Sequence, residues 1–270
     1  MRYRLKAAFM GEVIEDVYCY GKMLAKSPKE AILVIERESD EHFKGGIVAA
    51  AAHAQALCDD VTVLSDRTIR KTRLLESGHK RKVFEVYDKP VIYDMPLAPR
   101  HFELCAVIDY GHGMMTAERI DYARQISAFL AVNVQVNAGN YGFNLATKYE
   151  NLDYLCVDEL EARLATQNRD RPIEQSLEDL SMLARIVVIT LGKGGAVGFD
   201  SVGGVRFGAA RTKNVVDTMG AGDAFFAASA LAAASGATLS EILRVGNAAG
   251  AAKCKILGHS RAIKAEDLDD

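Results

Sequence analysis

Paired cysteines are missing from this 270-residue chain. It contains five cysteines, an odd number, and no two of them have the C-x-x-C spacing of a metal knuckle or a redox motif. A disulfide framework and a cysteine-ligated metal are therefore disfavoured, and free thiols in a reducing cytoplasm are expected. The cysteines are Cys19, Cys58, Cys105, Cys156 and Cys254.

An excess of positive charge is also missing. The 33 Lys and Arg residues are outnumbered by 36 Asp and Glu residues, which gives a formal net charge of −3. Nucleic acids and lipid headgroups are normally bound by basic surfaces, so neither kind of partner is expected. The basic segment 67–73 (RTIRKTR) is too short to change this, and a solvated loop or strand face explains it.

Long apolar runs are absent. No run approaches the roughly 18 apolar residues of a membrane-spanning helix. The first 16 residues include basic side chains, but their apolar run is brief and acidic residues follow at once. This segment predicts a first strand rather than a signal peptide.

Two common nucleotide-binding motifs do not occur. The P-loop pattern G-x-x-x-x-G-K-[ST] is absent. The dinucleotide fingerprint G-x-G-x-x-G belongs after the first strand, whereas the glycine turn of this chain lies near its C-terminus. Phe225 also occupies the position of its third glycine.

What is present is an alternation of short apolar runs with helix-length segments, in a length that suits one large domain over 1–270. This order predicts an α/β fold with a parallel sheet covered on both faces, and ligands outside the carboxyl ends of the strands. Strands are predicted at 5–10, 61–64, 104–109, 132–137, 154–157 and 185–190, and helices at 47–57, 117–130, 221–235 and 239–254.

Two segments break the alternation. Residues 31–38 (AILVIERE) and 80–94 (KRKVFEVYDKPVIYD) are rich in β-branched and aromatic residues, and no helix follows either of them. They predict a small β-flap over the ligand-binding edge of the sheet.

The most informative stretch is 215–229, VVDTMGAGDAFFAAS. Its Gly220-Ala221-Gly222 turn opens a helix, whose free N–H groups form an anion site. A plain glycine turn would explain the glycines but not the two acids. A carboxylate beside an anion site suits phosphoryl transfer, because it accepts the proton of the attacking alcohol. Asp223 is therefore the predicted base, while Asp217 and Thr218 are expected to hold the turn and its water or metal shell.

The pattern D-T-x-G-A-G-D, from Asp217 to Asp223, resembles the signature of the ribokinase-like (PfkB) carbohydrate kinases. The resemblance implies an α/β, ribokinase-like, doubly wound and mostly parallel sheet with helices on both faces. It also implies a small β-sheet lid from about 12–43 and 70–95, with ATP and Mg²⁺ as cofactors. In that family the second acid is the catalytic base and the glycine turn is the anion hole.

Further segments resemble the nucleotide side of the family. Thr190, Gly192 and Gly195 match its T-x-G-x-x-G loop, although taken alone this loop is more typical of a plain β-turn. Asn247 and Gly258 match its C-terminal helix and loop, where ordinary helix packing is the alternative. Together with Asp217 and Thr218, these residues are the ones expected to bind the nucleotide.

The family's N-x-x-E motif, which tunes metal and phosphate binding, falls on Asp158 and Glu161, with Asp in place of Asn. The resemblance makes both residues candidates for the metal site. A helix capped by Asp158, with acidic residues in its first turn, explains the same pattern.

The N-terminal half resembles bacterial heptose 7-phosphate kinases. The segment 11–35 shares their opening and their S-P element, with Glu12 in place of Asp, and Asp16 can accept hydrogen bonds from a sugar. Lys71 and Arg73 match a K-x-R pair that can bind a substrate phosphate, but a solvated lid face is the alternative. The remaining residues expected at the sugar are Gly45, Gly46, Asp109 and Asn137.

The family's G-G-x-x-N motif ends here on Ala49 instead of a sugar-binding Asn, so the sugar contacts depart from the usual set. A sugar kinase is the first hypothesis. A catalytically degenerate module that binds a nucleotide or sugar phosphate, and a nucleoside kinase of the same fold, are the alternatives. The resemblance also implies a homodimer paired through its lids. Segment 136–149 resembles proteins often joined to a nucleotidyltransferase domain, which is a candidate partner.

Overall fold

The computed structural model describes residues 2–79, 81–97, 100–210, 212 and 215–268. Lys80, the first residue of the predicted segment 80–94, lies outside these ranges. The described strands are β1 Tyr3–Gly11, β2 Val13–Lys26, β3 Leu33–Gly46, β4 Cys58–Leu64, β5 Arg67–Glu76, β6 Arg81–Tyr87, β7 Val91–Ile92, β8 Leu104–Asp109, β9 Leu130–Val134, β10 Leu152–Asp158, β11 Ala184–Thr190, β12 Ala196–Asp200 and β13 Gly204–Gly208. The α-helices are α1 Ile47–Gln55, α2 Ala117–Gln125, α3 Glu159–Thr166, α4 Ile173–Leu180, α5 Ala221–Ala234 and α6 Leu239–Cys254.

The larger sheet has eight strands in the order β13-β12-β11-β10-β9-β8-β1-β4. Pairing is parallel from β4 to β11, and β12 and β13 add an antiparallel hairpin at one edge. The carboxyl ends of the parallel strands therefore share one edge, where the predicted site loops begin.

Helices cover both faces of this sheet, because its buried strands are apolar on both sides. Successive residues of β1 alternate between two cores: Phe9 packs with α1, α5 and α6, whereas Met10 packs with α2, α3 and α4. Small residues of α5, such as Ala227 and Ala228, let the helices approach closely in the first core. Among the described helices, none is long and apolar enough to cross a bilayer.

The smaller sheet forms a lid in which β3, β2, β5 and β6 are neighbours and β7 pairs with β5. It is assembled from two separate segments of the chain, with α1 and β4 between them. A third apolar cluster joins its inner face to the core through Tyr18, Tyr20, Leu75 and Met219. The Tyr18 hydroxyl donates to Met219 Sδ at 2.9 Å, so the lid lies on the 217–223 turn.

The prediction of a helix over 117–130 is wrong in its second half. Helix α2 ends at Gln125, and Leu130 already begins β9. Between them the chain follows Phe102, whose N–H donates to Ile126 O at 2.7 Å and whose carbonyl accepts from the N–H of Ala128 at 2.9 Å. These long-range hydrogen bonds override the helical spacing. The strand predicted at 132–137 likewise ends early, at Val134.

Candidate active site

Asp223 lies in the first turn of α5, at the lid-covered edge of the sheet. Its Oδ1 accepts hydrogen bonds from Gln135 Nε2 at 2.8 Å and from the Tyr110 hydroxyl at 3.3 Å. No described residue donates to Oδ2. Burial raises the pKa of the Asp223 carboxyl above its ordinary value, and the nearby His259, followed by the two hydrogen bonds, opposes that rise. One oxygen is thus fixed by the protein while the other is available to a substrate.

Gln135 and Tyr110 were missed by the sequence reasoning. Each follows the carboxyl end of a parallel strand, β9 and β8 respectively, and those strands are neighbours. That position was the available signal, because side chains just after adjacent parallel strands converge at one edge. Burial, followed by the nearby Asp223 carboxylate, raises the pKa of the Tyr110 hydroxyl, which therefore stays a hydrogen-bond donor.

The glycine turn leaves backbone donors beside Asp223. Gly220 has a φ of 72°, a left-handed conformation that favours glycine, and its carbonyl accepts from the N–H of Ala224. The N–H groups of Gly222 and Asp223 donate to no described residue. Around Gly222 a Cβ atom would meet nothing within 4 Å. The helix N-terminus therefore presents free donors to open space, as an anion site requires.

Asp217 connects the turn to the C-terminal loop. Its Oδ1 accepts from the N–H of Met219 at 3.1 Å, and its Oδ2 accepts from the N–H of Gly258 at 2.9 Å. Thr218 contributes its carbonyl to the N–H of Ala221 at 3.2 Å. These contacts place Asp217, Thr218 and Gly258 together and give them a role in shaping the turn.

The other nucleotide-side candidates lie along the same edge. Thr190 ends β11 and pairs in register with Asp158 at the end of β10. Gly192 begins a short 3₁₀ turn that leads to Gly195. Asn247 of α6 donates to Gly208 O at 3.1 Å and so holds the end of β13 near this loop.

Asp158 and Glu161 form a capping box at the start of α3. Asp158 Oδ1 accepts from the N–H of Glu161, and Glu161 Oε2 accepts from the N–H of Asp158. The second oxygen of Glu161 accepts from the N–H of Val136 at 3.1 Å, which joins α3 to the loop after β9. Burial raises the pKa of Glu161 to about 8. Both of its oxygens are thus used by the backbone, whereas Asp158 Oδ2 has no described hydrogen-bond partner.

A metal site made by the protein alone is not found. Within the described part of the chain, no three Asp, Glu, His or Cys side chains group in a way that could hold a metal ion. Mg²⁺ in kinases is usually held by one or two carboxylates together with substrate phosphates and water. Asp158 fits such a partial site, and the locked Glu161 fits a supporting position beside it.

The sugar-side candidates meet under the lid. Asp16 of β2 is buried and forms an ion pair with Arg73 of β5. A Cβ atom on Gly45 would collide with Asp16 Oδ2, so glycine at this position leaves room for the Asp16 carboxylate as it is placed here. His259, which the sequence reasoning missed, places Nε2 at 3.5 Å from Asp16 Oδ2 and lies against Gly220. The imidazole therefore lies between the Asp16 carboxylate and the glycine turn.

Lys71 and Arg73 share one face of β5, as the sequence predicts, but their partners differ. Arg73 is neutralised by Asp16 and by Glu85, the latter at 2.8 Å. Lys71 is 7% exposed and has no described ion pair or hydrogen bond, and its Nζ lies 4.6 Å from the ring centroid of Tyr87. Burial lowers the pKa of the Lys71 ammonium. Of the two cations, Lys71 is the one available to an anionic ligand.

Asp109 and Asn137 have internal partners. Asp109 accepts from the Tyr149 hydroxyl at 2.8 Å and pairs with Lys148. Asn137 donates to Tyr110 O at 2.8 Å. Both residues hold the loops that position Tyr110.

Glu12 supports the loop after β8. Its side chain is completely buried and accepts three backbone hydrogen bonds of 3.1 Å, from the N–H groups of Tyr110, His112 and Met114. Its own carbonyl accepts from the N–H of Ile47, after Gly46, whose φ is 60°. Glu12 therefore fixes both the Tyr110 loop and the start of α1.

A cavity of about 510 Å³ lies next to His259. Ala49 and His53, one helical turn apart on α1, line it together with His259. At position 49 the cavity is thus lined by an alanine, where the resembled motif has an Asn. Neither Asp223 nor Asp16 lines this cavity.

Residues 116–265 match the pfkB family carbohydrate kinases, and this span is more than half of the chain. The chain belongs to the pfkB family. This match confirms the predicted family, whose name is that of carbohydrate kinases.

Curated relatives share parts of the sequence. An ATP-dependent 6-phosphofructokinase of Thermoanaerobacterium thermosaccharolyticum is 37% identical over 90 residues, which are 33% of this chain and 28% of that protein. The bifunctional protein HldE of Campylobacter jejuni is 22% identical over 293 residues, covering 94% of this chain and 62% of HldE. This pfkB-family chain thus spans less than two thirds of the curated relatives it matches.

Solved structures resemble the whole chain. Ribokinase of Thermotoga maritima superimposes with a TM-score of 0.71 at 16% identity, covering 98% of both chains. At this identity the likeness concerns the fold alone, and it confirms the predicted ribokinase-like fold with its additional small sheet.

Proposed function

We propose that this pfkB-family protein is an ATP-dependent sugar kinase that transfers the γ-phosphate to a hydroxyl of a sugar or sugar phosphate. The observation that carries the proposal is the Asp223 carboxylate, held at Oδ1 and free at Oδ2, beside the unpaired N–H groups of Gly222 and Asp223. A base next to an anion hole is the minimum equipment for phosphoryl transfer to an alcohol.

In the proposed reaction, Asp223 Oδ2 accepts the hydroxyl proton as the alcohol oxygen forms its bond to the γ-phosphorus. The bond between that phosphorus and the bridging oxygen of ATP breaks, and ADP leaves with the bonding electrons. The free N–H groups of Gly222 and Asp223 donate hydrogen bonds to the transferring group, whereas the N–H of Ala221 is already bonded to the carbonyl of Thr218. Because burial raises its pKa, Asp223 is a stronger base than an exposed aspartate, although it must still be ionised at the start.

The nucleotide is expected along the loop Thr190–Gly195, bounded by Asn247 and Gly258. Mg²⁺ would be held by Asp158 together with the nucleotide phosphates, and it would neutralise charge on them. Glu161, locked to the backbone, would keep Asp158 in place. The 6-phosphofructokinase relative is named as ATP-dependent, which supports ATP as the donor.

A phosphorylated sugar similar to heptose 7-phosphate is the favoured acceptor. Lys71 is a buried ammonium under the lid without a described hydrogen-bond acceptor, and a phosphate group would supply one. Asp16 would accept a hydrogen bond from a sugar hydroxyl. The lid would exclude water during transfer, because an open site would hydrolyse ATP.

The partners and location follow from the same proposal. We expect a homodimer joined through the lids, whose outer surface exposes large apolar side chains, including Phe84, Val91 and Ile92. HldE is named as bifunctional, which supports a nucleotidyltransferase as a functional partner. All five cysteines are free, as expected for a protein of the cytoplasm.

The test is an ADP-release assay over heptoses, hexoses and pentoses, their phosphates, and nucleosides. Sugar-dependent ADP release by the wild type should fall about 10²–10⁴-fold in Asp223→Asn, the range for removal of a general base. Asp60→Asn changes an exposed acid of β4 and should keep full activity. Binding without turnover over the whole panel would contradict the kinase and favour a binding module, whereas turnover of nucleosides alone would identify a nucleoside kinase.

A further inference from the structure

Lys253 is a completely buried lysine on α6 that the proposed reaction does not use. Its Nζ donates one long hydrogen bond, of 3.3 Å, to Ile256 O. No carboxylate of the described residues lies within ion-pair distance of it. An ammonium has three donor hydrogens, so two of them have no described acceptor.

Such a residue is costly to the fold. Removing an ammonium from water without a close partner costs several kcal/mol, and apolar replacements of buried charges are often neutral or stabilising. The helix around Lys253 is rich in small apolar residues such as Ala251 and Ala252. Packing alone therefore gives no reason for a lysine here.

The position of Lys253 supplies a reason. Its Cε lies 3.3 Å from the point where a Cβ atom of Gly220 would stand, so the side chain lies directly behind the glycine turn. The free N–H groups of Gly222 and Asp223 belong to the same turn. Burial lowers the pKa of the Lys253 ammonium, and the carboxylates of Asp217, at the beginning of the turn, and of Asp223 oppose that fall and favour the charged form.

We infer that Lys253 is a positioning residue that supplies a fixed positive charge behind the anion hole, acting through the turn on the phosphoryl group in transfer. The inference rests on the proposed kinase function. Lys253 is fully buried against the turn, so its attraction for the additional negative charge of the transition state is weakly screened. The same charge reduces the repulsion between the incoming phosphate and the Asp217 and Asp223 carboxylates.

The experiment compares wild type, Lys253→Met and the exposed control Lys255→Met with the best acceptor from the substrate panel. Lys253→Met should lower kcat by about 10²-fold, in line with loss of one oxyanion-stabilising group, and should change the sugar KM less than threefold. Its melting temperature should be unchanged or higher. In Lys253→Ala, added methylammonium should restore part of the lost kcat by refilling the cavity with a cation, whereas Lys255→Met should behave as wild type.

A readout without turnover keeps the test independent of the proposed function. Inorganic phosphate, titrated calorimetrically without nucleotide or sugar, should bind Lys253→Met at least fivefold more weakly than wild type and Lys255→Met. Equal phosphate affinities, or a kcat within twofold of wild type, would overturn the inference, and so would a kcat loss that merely tracks loss of folded protein. If the wild type transfers phosphate to no acceptor while phosphate binding still depends on Lys253, the kinase proposal fails. The inference that Lys253 supplies a positive charge to the anion site would then still hold.

Discussion

Gln135 and Asp223 are 88 residues apart in sequence, yet the Gln135 side-chain amide donates to Asp223 Oδ1 at 2.8 Å. The amide also donates to Asn133 Oδ1 at 3.0 Å, so its orientation is fixed by the end of β9. The rotation of the carboxylate is thus set by the central sheet rather than by the helix that carries it. The orientation of the proposed base is therefore determined by residues at the edge of the central sheet.

Removing this amide should move the pH dependence of catalysis. Asp223 must be ionised to act as a base, so activity rises as pH increases through its pKa. The Gln135 hydrogen bond lowers that pKa, and Gln135→Leu should therefore shift the acidic limb of the kcat profile to higher pH. Gln125→Leu, on the exposed end of α2, is the matched control. Superimposable profiles for wild type and Gln135→Leu would show that the hydrogen bond does not tune Asp223.

The raised pKa of Asp223 also makes stability depend on pH. The pKa of the Asp223 carboxyl is higher in the folded protein than in the unfolded chain, where it is about 3.9. Such a carboxyl contributes stability at pH values below about 3.9, and this contribution is lost as the pH rises through the folded pKa. At pH 7, Asp223→Asn should therefore unfold at a higher temperature than wild type. The difference should shrink as pH falls toward about 4. Calorimetric melting curves at several pH values would measure this, and a lower melting temperature at pH 7 would contradict it.

Lys71 should be needed for phosphorylated acceptors in particular. Lys71→Met should raise the KM for a sugar phosphate by about 10–100-fold, the range for a lost hydrogen bond to a charged group. The KM for the corresponding unphosphorylated sugar should change less than threefold. Lys22→Met, an exposed lysine of the same lid, is the control. Equal effects on both acceptors would assign Lys71 to the lid structure instead of the substrate.

Glu12 should be a structural requirement. Glu12→Ala leaves three buried N–H groups without their acceptor and should reduce the free energy of unfolding by about 2–4 kcal/mol. Urea titration would measure the change, with Glu30→Ala, an exposed lid residue, as control. A loss below about 0.5 kcal/mol, typical of surface positions, would show that water replaces the carboxylate.

The lid surface should join two copies of the chain. Phe84 is 61% exposed, and Phe84→Glu should convert a dimer to a monomer by placing a charge in the apolar interface. Phe143→Glu changes a more exposed phenylalanine outside the lid and should leave the dimer intact. Sedimentation velocity would separate the two states. A monomeric wild type would contradict the prediction.

Local sequence was sufficient for most strands of the parallel part of the sheet and for the glycine turn, but not for the hairpin of β12 and β13. Buried parallel strands are continuously apolar, so β8 was predicted with its observed bounds. The bounds of α5 were predicted within one residue. The acid spacing around Gly220 identified the turn because helix-start chemistry depends on neighbouring residues. The early end of α2 could not be predicted in this way, since the hydrogen bonds of Phe102 come from outside the local sequence.

The site was predicted less completely, because several of its contacts are long-range. Gln135, His259 and Lys253 belong to no motif, and only the folded chain brings them to the turn. Conversely, Lys71 and Arg73 look equivalent in sequence, and only the positions of Asp16 and Glu85 on neighbouring strands show which cation is neutralised.

Strand β3 of the lid passes into α1 without an intervening loop, since one ends at Gly46 and the other begins at Ile47. The N–H of Ile47 is anchored to the carbonyl of Glu12, immediately before the other lid strand, β2. A displacement of this sheet would therefore act on both ends of that anchor at once. The position of the lid sheet is therefore coupled to that of the first helix, which carries Ala49 and His53.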